Sequence, residues 1–84
     1  MKKTVCFKTY VEVEIEESKF DETFMKDFRA MFFDFYTLED HIKHLAQLYF
    51  KDGYTNSDFI EGYGQAENMG IKFKELDVEI ELEE

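Results

Sequence analysis

The chain is poor in the residues that close, kink or staple a fold. Its 84 residues include one cysteine, four glycines and no proline. A single cysteine, Cys6, excludes an intrachain disulfide and fits a reducing cytoplasm. No run approaches the roughly 20 apolar residues that span a bilayer. The opening Met1-Lys2-Lys3-Thr4-Val5 lacks the apolar core of a signal peptide. No low-complexity run or internal repeat divides the chain, so residues 1–84 are expected to form a single α+β domain. Basic residues are also scarce, with 10 Lys and Arg against 20 Asp and Glu, for a net charge of −10. That balance argues against direct nucleic-acid binding, which draws its affinity from cations neutralising phosphates, and against anionic membrane surfaces. It suits a basic protein partner, and it also serves solubility.

What the chain does have is aromatic mass. Ten Phe and five Tyr offset the small core of so short a domain, since each aromatic ring buries roughly 150–250 Å². Nine of the aromatic residues fall between Phe20 and Phe50, a stretch that reads as two helices. Asp21 suits the first N-cap, and Phe20 and Met25 are spaced as a hydrophobic staple. Phe24, Phe28, Met31, Phe32 and Phe35 follow one helical stripe, and Phe33 points away from it. Thr37 and Asp40 are placed as a capping box for a second helix, with the stripe Leu38, Ile42, Leu45 and Tyr49, and Gly53 as its stop. A link of two or three residues predicts antiparallel neighbours.

The outer segments alternate. Val5, Phe7, Val11, Val13 and Ile15 share one parity, and Lys8, Tyr10, Glu12, Glu14 and Glu16 the other, the pattern of a strand with one buried and one wet face. At the C-terminus Ile71 and Phe73 are out of phase with Leu76, Val78, Ile80 and Leu82, which a β-bulge near Lys74–Glu75 reconciles. Antiparallel pairing sets Lys2 and Lys8 near Glu79, Glu81 and Glu83, and Glu12, Glu14 and Glu16 near Lys72 and Lys74. Parallel pairing sets glutamate against glutamate, which is unfavourable. The expected fold is therefore β-α-α-β, a helical hairpin packed on an antiparallel sheet of two or three strands, with Phe59–Tyr63 the candidate third strand. Gln65–Met69 reads as one helical turn closed by Gly70.

No catalytic constellation emerges, and none is expected. His41 and His44 share a helix face, but with Cys6 on the wet side of its strand no set of three or four zinc ligands assembles, and the two histidines read as ordinary surface or boundary residues. A Cys6 nucleophile needs His41 or His44 within hydrogen-bond reach and a group orienting that base, and the free cysteine reads instead as a small packing residue. Gly62-Tyr63-Gly64 falls short of a phosphate loop. Asp52, Asn56 and Asp58 do not match a calcium loop. No metal or cofactor is expected.

The remaining signal is the spacing of carboxylates. Glu12, Glu14 and Glu16 on one strand, and Asp77, Glu79, Glu81 and Glu83 on the other, recur at about 6.6–7 Å along a strand face. That interval is close to the spacing of successive phosphates, so such rows suit a groove built for DNA or RNA. These residues, together with Phe33, are the candidate partner-binding residues. An exposed strand edge or Phe33 recruiting another chain is the alternative, a structural or assembly role.

The runs Phe24-Met25-Lys26-Asp27-Phe28-Arg29, Asp40-His41-Ile42-Lys43-His44-Leu45-Ala46-Gln47-Leu48, Phe59-Ile60-Glu61-Gly62-Tyr63-Gly64 and Met69-Gly70-Ile71 resemble small phage and prophage proteins. In size and acidity the chain resembles anti-CRISPR and anti-restriction proteins as a class, many of which mimic DNA. The resemblance implies inhibition of a basic nucleic-acid-binding defence protein of the host; a non-enzymatic protein in the host cytoplasm, monomeric or homodimeric, is the expectation. It assigns no individual residue.

Overall fold

The computed structural model describes residues 1–83. Its elements run in the order β1 (Thr4–Glu14), a 3-10 turn (Glu17–Lys19), α1 (Glu22–Met31), α2 (Leu38–Asp52), β2 (Phe59–Ile60), β3 (Gly64–Gln65), a second 3-10 turn (Ala66–Met69) and β4 (Lys72–Glu83). The fold is α+β. β1 and β4 pair antiparallel over their whole length, with Val5 opposite Leu82, Phe7 opposite Ile80 and Val13 opposite Phe73, as the cross-strand charges predict. The register slips where Tyr10 and Val11 face Asp77 and Glu75. Leu76 is thus the extra residue, next to the Lys74–Glu75 position expected for the bulge. Phe59–Ile60 does form a strand, but it pairs with β3 in a separate two-stranded sheet. The main sheet has two strands.

Local chemistry sets the helix ends. The Phe24 amide donates to the Asp21 carboxylate at 2.8 Å. At α2 the Asp40 amide donates to the Thr37 hydroxyl, and the Asp40 carboxylate accepts from the Thr37 and Tyr36 amides, the reciprocal box expected there. Those backbone donors, Tyr36 first, hold the Asp40 carboxyl below its ordinary range. α1 is shorter than its stripe predicts. It stops at Met31, and Phe32–Thr37 form a six-residue link in which Arg29 donates to the Phe35 carbonyl and its guanidinium lies over the Tyr36 ring. As a result Met31 faces solvent instead of joining the stripe, and the helices meet through rings rather than by close backbone approach.

The core is Phe20, Met25, Phe28, Leu45, Ile60, Tyr63, Ala66 and Ile71, with Val13, Ile15, Phe24, Phe35 and Phe73 among the side chains packed around it. Its centre is His41, which is fully buried, not a surface or boundary residue as its spacing with His44 suggests. Phe28, Phe35 and Phe20 surround the imidazole edge-on at 4.7, 5.1 and 5.5 Å, and Nδ1 lies 2.8 Å from the Tyr63 hydroxyl. Nε2 has no hydrogen-bond partner among the described residues. A hydroxyl donating to Nδ1 places the imidazole proton on Nε2, where aromatic rings are weak acceptors; the other tautomer leaves a bare lone pair with nothing to accept. Burial, with His44 and Arg29 adding to it, lowers the His41 pKa to about 4.

Two glycines fix the crossings of the chain. Gly70 caps the second 3-10 turn at φ 64°, and a Cβ there would sit 2.6 Å from Glu16 Cβ and 3.1 Å from its amide nitrogen. Gly53 ends α2 at φ 68° with open space around it. Gly53→Ala should therefore cost about 1 kcal/mol, the price of a left-handed L-residue, and Gly70→Ala clearly more, because the backbone at Glu16 must also move. Equal losses in denaturant melts would contradict that close approach. The buried imidazole gives a second prediction. Above about pH 7.5 it is neutral in both folded and unfolded chains, and its ionisation does not change stability. Between pH 6.5 and 4 only the unfolded chain takes up the proton, so stability falls by up to about 3 kcal/mol. His41→Gln should remove that part of the acid dependence, as read from urea midpoints against pH.

Candidate functional site: the projecting ribbon

The ribbon is longer than anything available to cover it. β1 has 11 residues and β4 has 12, about 37–40 Å of strand. α2, with 15 residues, is about 23 Å long. At the root, Val13, Ile15 and Phe73 pack on the core, and Tyr49 stacks on Phe73 at 5.2 Å. Beyond Val11 the ribbon runs out into solvent, and the molecule measures 53 × 24 × 18 Å.

The projecting tip has two unlike faces. Directly opposed residues of an antiparallel pair share a face, so Val5 with Leu82, Phe7 with Ile80, and Thr9 with Val78 make one strip. It continues the same face that is buried at the root. Here it is bare: Phe7 and Ile80 are each 65% exposed, and Val5, Val78 and Leu82 are exposed as well. The alternation predicts a buried face for these residues, and the structure corrects it, because the helices end before the strands do. No sequence motif marks these five as functional. The signal that could have found them is the mismatch between strand and helix length.

The opposite face carries the carboxylates. Asp77, Glu79, Glu81 and Glu83 stand in an unbroken alternate series, because the bulge at Leu76 precedes them. The residues opposite them are Tyr10, Lys8, Cys6 and Thr4, which include one cation. The N-terminal row is different. Glu12 faces Lys74, and Glu14 faces Lys72 with a 3.7 Å ion pair. Glu16 lies beyond the end of β1, where its amide donates to the Met69 carbonyl at 3.2 Å. The structure thus brings the C-terminal row together on one face, and gives Glu12 and Glu14 counter-ions on the same face.

Phe33 is in the inter-helix link and 51% exposed. It stacks on Phe35 at 5.4 Å and lies 5.1 Å from His44. With Phe32, His44, Leu48, Tyr54, Asp52 and Glu61 it borders an open hollow of about 350 Å³. Burial lowers the His44 pKa. Phe33 shares no surface strip with the ribbon tip.

Among the described residues no group of three or more His, Cys, Asp or Glu could hold a metal ion, and no helix is long and apolar enough to cross a membrane. The charge layout predicts that Glu79, Glu81 and Glu83 all changed to Gln leaves the melting temperature unchanged or raised, because the row sits in mutual repulsion with one opposing lysine. A fall of several degrees would mean that these carboxylates hold structure. No family model, curated protein or solved structure matches the chain.

Proposed function

We propose that the protein is a non-enzymatic binding module whose working surface is the tip of the β1–β4 ribbon. The observation that carries this reading is the two-faced tip: five large apolar side chains exposed along one face and four carboxylates at alternate positions along the other. Contiguous exposed apolar strips of this kind are characteristic of contact surfaces. The sign of the charge favours a basic protein as target over nucleic acid or an anionic membrane.

The specific form that the charge supports is an inhibitor, of the kind phages encode, of a bacterial nucleic-acid-binding defence complex of CRISPR-Cas or restriction type in the host cytoplasm. In that reading Asp77, Glu79, Glu81 and Glu83 stand in for phosphates in a basic groove. Glu12 and Glu14 contribute less, because lysines face them. The assembly reading is supported by a separate observation, the exposed Phe33 ring beside its hollow, which suits a hydrophobic anchor from another chain.

The test is release of bacterial proteins from immobilised DNA by added protein, at low and at high salt. The inhibitor reading expects specific release at low salt, lost at high salt as exposed charges are screened over about 8–10 Å. Changing Glu79, Glu81 and Glu83 to Gln should weaken release by roughly tenfold or more, and the same change at Glu12, Glu14 and Glu16 should weaken it less. Protein capture that ignores salt and the first triple variant, but disappears in Phe33→Ala, would reject this reading in favour of assembly.

A further inference from the structure

The bare face of the ribbon tip matches a second copy of itself. We propose that the protein is a homodimer in which two ribbon tips pack apolar face to apolar face about a two-fold axis, running antiparallel, with both acidic faces turned outward. This inference rests on reading the tip as the working surface, and it names the partner of one of its two faces.

Three observations favour a second copy over an unrelated chain. The first is the composition of the strip. Val5, Phe7, Thr9, Val78, Ile80 and Leu82 share one face with no charged residue among them. A two-fold axis near Phe7 and Ile80 sets those residues against their own copies, and sets Val5 and Leu82 against Thr9 and Val78 of the second chain. Such an isologous contact demands a self-complementary patch, which this is. Sheets so packed lie about 10 Å apart at a shallow angle, their inner side chains interdigitated.

The second is area. Five large side chains at their observed exposures offer roughly 1,000 Å² across two copies when wholly covered, the level at which a specific interface begins. Two strands alone are marginal in water, and two such pairs packed on one another satisfy the requirement for a covered hydrophobic face.

The third is charge at the ends of the strip. Among the residues of β1 and β4, the one charged residue on this face is Glu75, opposite Val11 at the root. Antiparallel ribbons bring the tip of one copy over the root of the other, so the two Glu75 positions stand at opposite ends of the contact. The acidic rows face away, which limits the repulsion expected of two chains each of net charge −10 and leaves the carboxylates available on both sides.

Light scattering coupled to size exclusion tests this on the full chain, over protein concentrations up to about 1 mM. The expected mass is twice the 10.1 kDa chain, held or strengthened at about 1 M salt, where like charges are screened. Phe7→Asp should halve the mass while the far-ultraviolet spectrum is unchanged, and Glu79→Gln should leave it dimeric. If Phe7→Asp loses its fold, a short bismaleimide provides the second readout. Phe7→Cys in a Cys6→Ser background should cross-link to its copy near the axis, whereas wild-type Cys6, on the outward face, should not. A wild-type mass of one chain at every concentration, a dimer that survives a folded Phe7→Asp, or cross-linking through Cys6 and not through Phe7→Cys overturns the proposal. A monomer that still releases basic proteins from DNA would end the dimer and leave the inhibitor reading intact; a dimer that releases none would do the reverse.

Discussion

Everything outside the core follows from strands that outrun their cover. Eleven- and twelve-residue strands paired along their full length make a long ribbon, and a single 15-residue helix shields its root. Where α2 ends, the inward face of the ribbon becomes an outward one without any change in sequence pattern. The bulge at Leu76 marks that transition. It changes the phase of β4 so that Phe73 joins the core below while Val78, Ile80 and Leu82 stay in line with Thr9, Phe7 and Val5 above. The same phase change puts Asp77 at the head of the uninterrupted acidic series.

The root must be firm for the tip to project, and here the aromatic residues matter. Phe20, Phe24, Phe28, Phe35 and Tyr63 all have ring centroids within 6 Å of His41, so a polar ring serves as the hub of a cluster from both helices and the β2–β3 turn. A neutral imidazole with one strong hydrogen bond to Tyr63 tolerates that setting; a charged one does not. The Tyr63 phenol is held above its ordinary pKa by the same burial. Gly62, whose Cβ position would fall 2.8 Å from the Phe28 ring, lets that turn close on the cluster.

How much of this could be read from the sequence divides along physical lines. Asp21, Thr37 with Asp40, Gly53 and Gly70 act through their immediate neighbours, and their roles are legible from local spacing. The antiparallel pairing of β1 and β4 is legible because like and opposite charges rank the two orientations. What failed needed distances between elements. Periodicity extends α1 through Phe35, yet contacts from Arg29 organise residues after Met31 into a link. Alternation shows that Phe7 and Ile80 share a face, but not whether anything lies over it. Two histidines at i and i+3 cannot be sorted into core and boundary until the surrounding rings are placed. For the candidate site, the spacing of Asp77–Glu83 was visible, the lysines opposite Glu12 and Glu14 were implied by the pairing, and the apolar strip behind the acids was not visible as an exposed surface.

In the proposed dimer the ribbon tip is a surface completed by association, apolar face inward and acidic face outward. Amide hydrogen exchange resolved by residue, followed on dilution, tests that most directly. With two tips packed together, Val5–Thr9 and Val78–Leu82 should be protected in concentrated protein and exchange markedly faster when it is diluted, while core amides such as those of Leu45 and Ile71 should not change. Protection of the tip that is the same at every concentration would mean that the ribbon stands unaided, and would contradict the dimer.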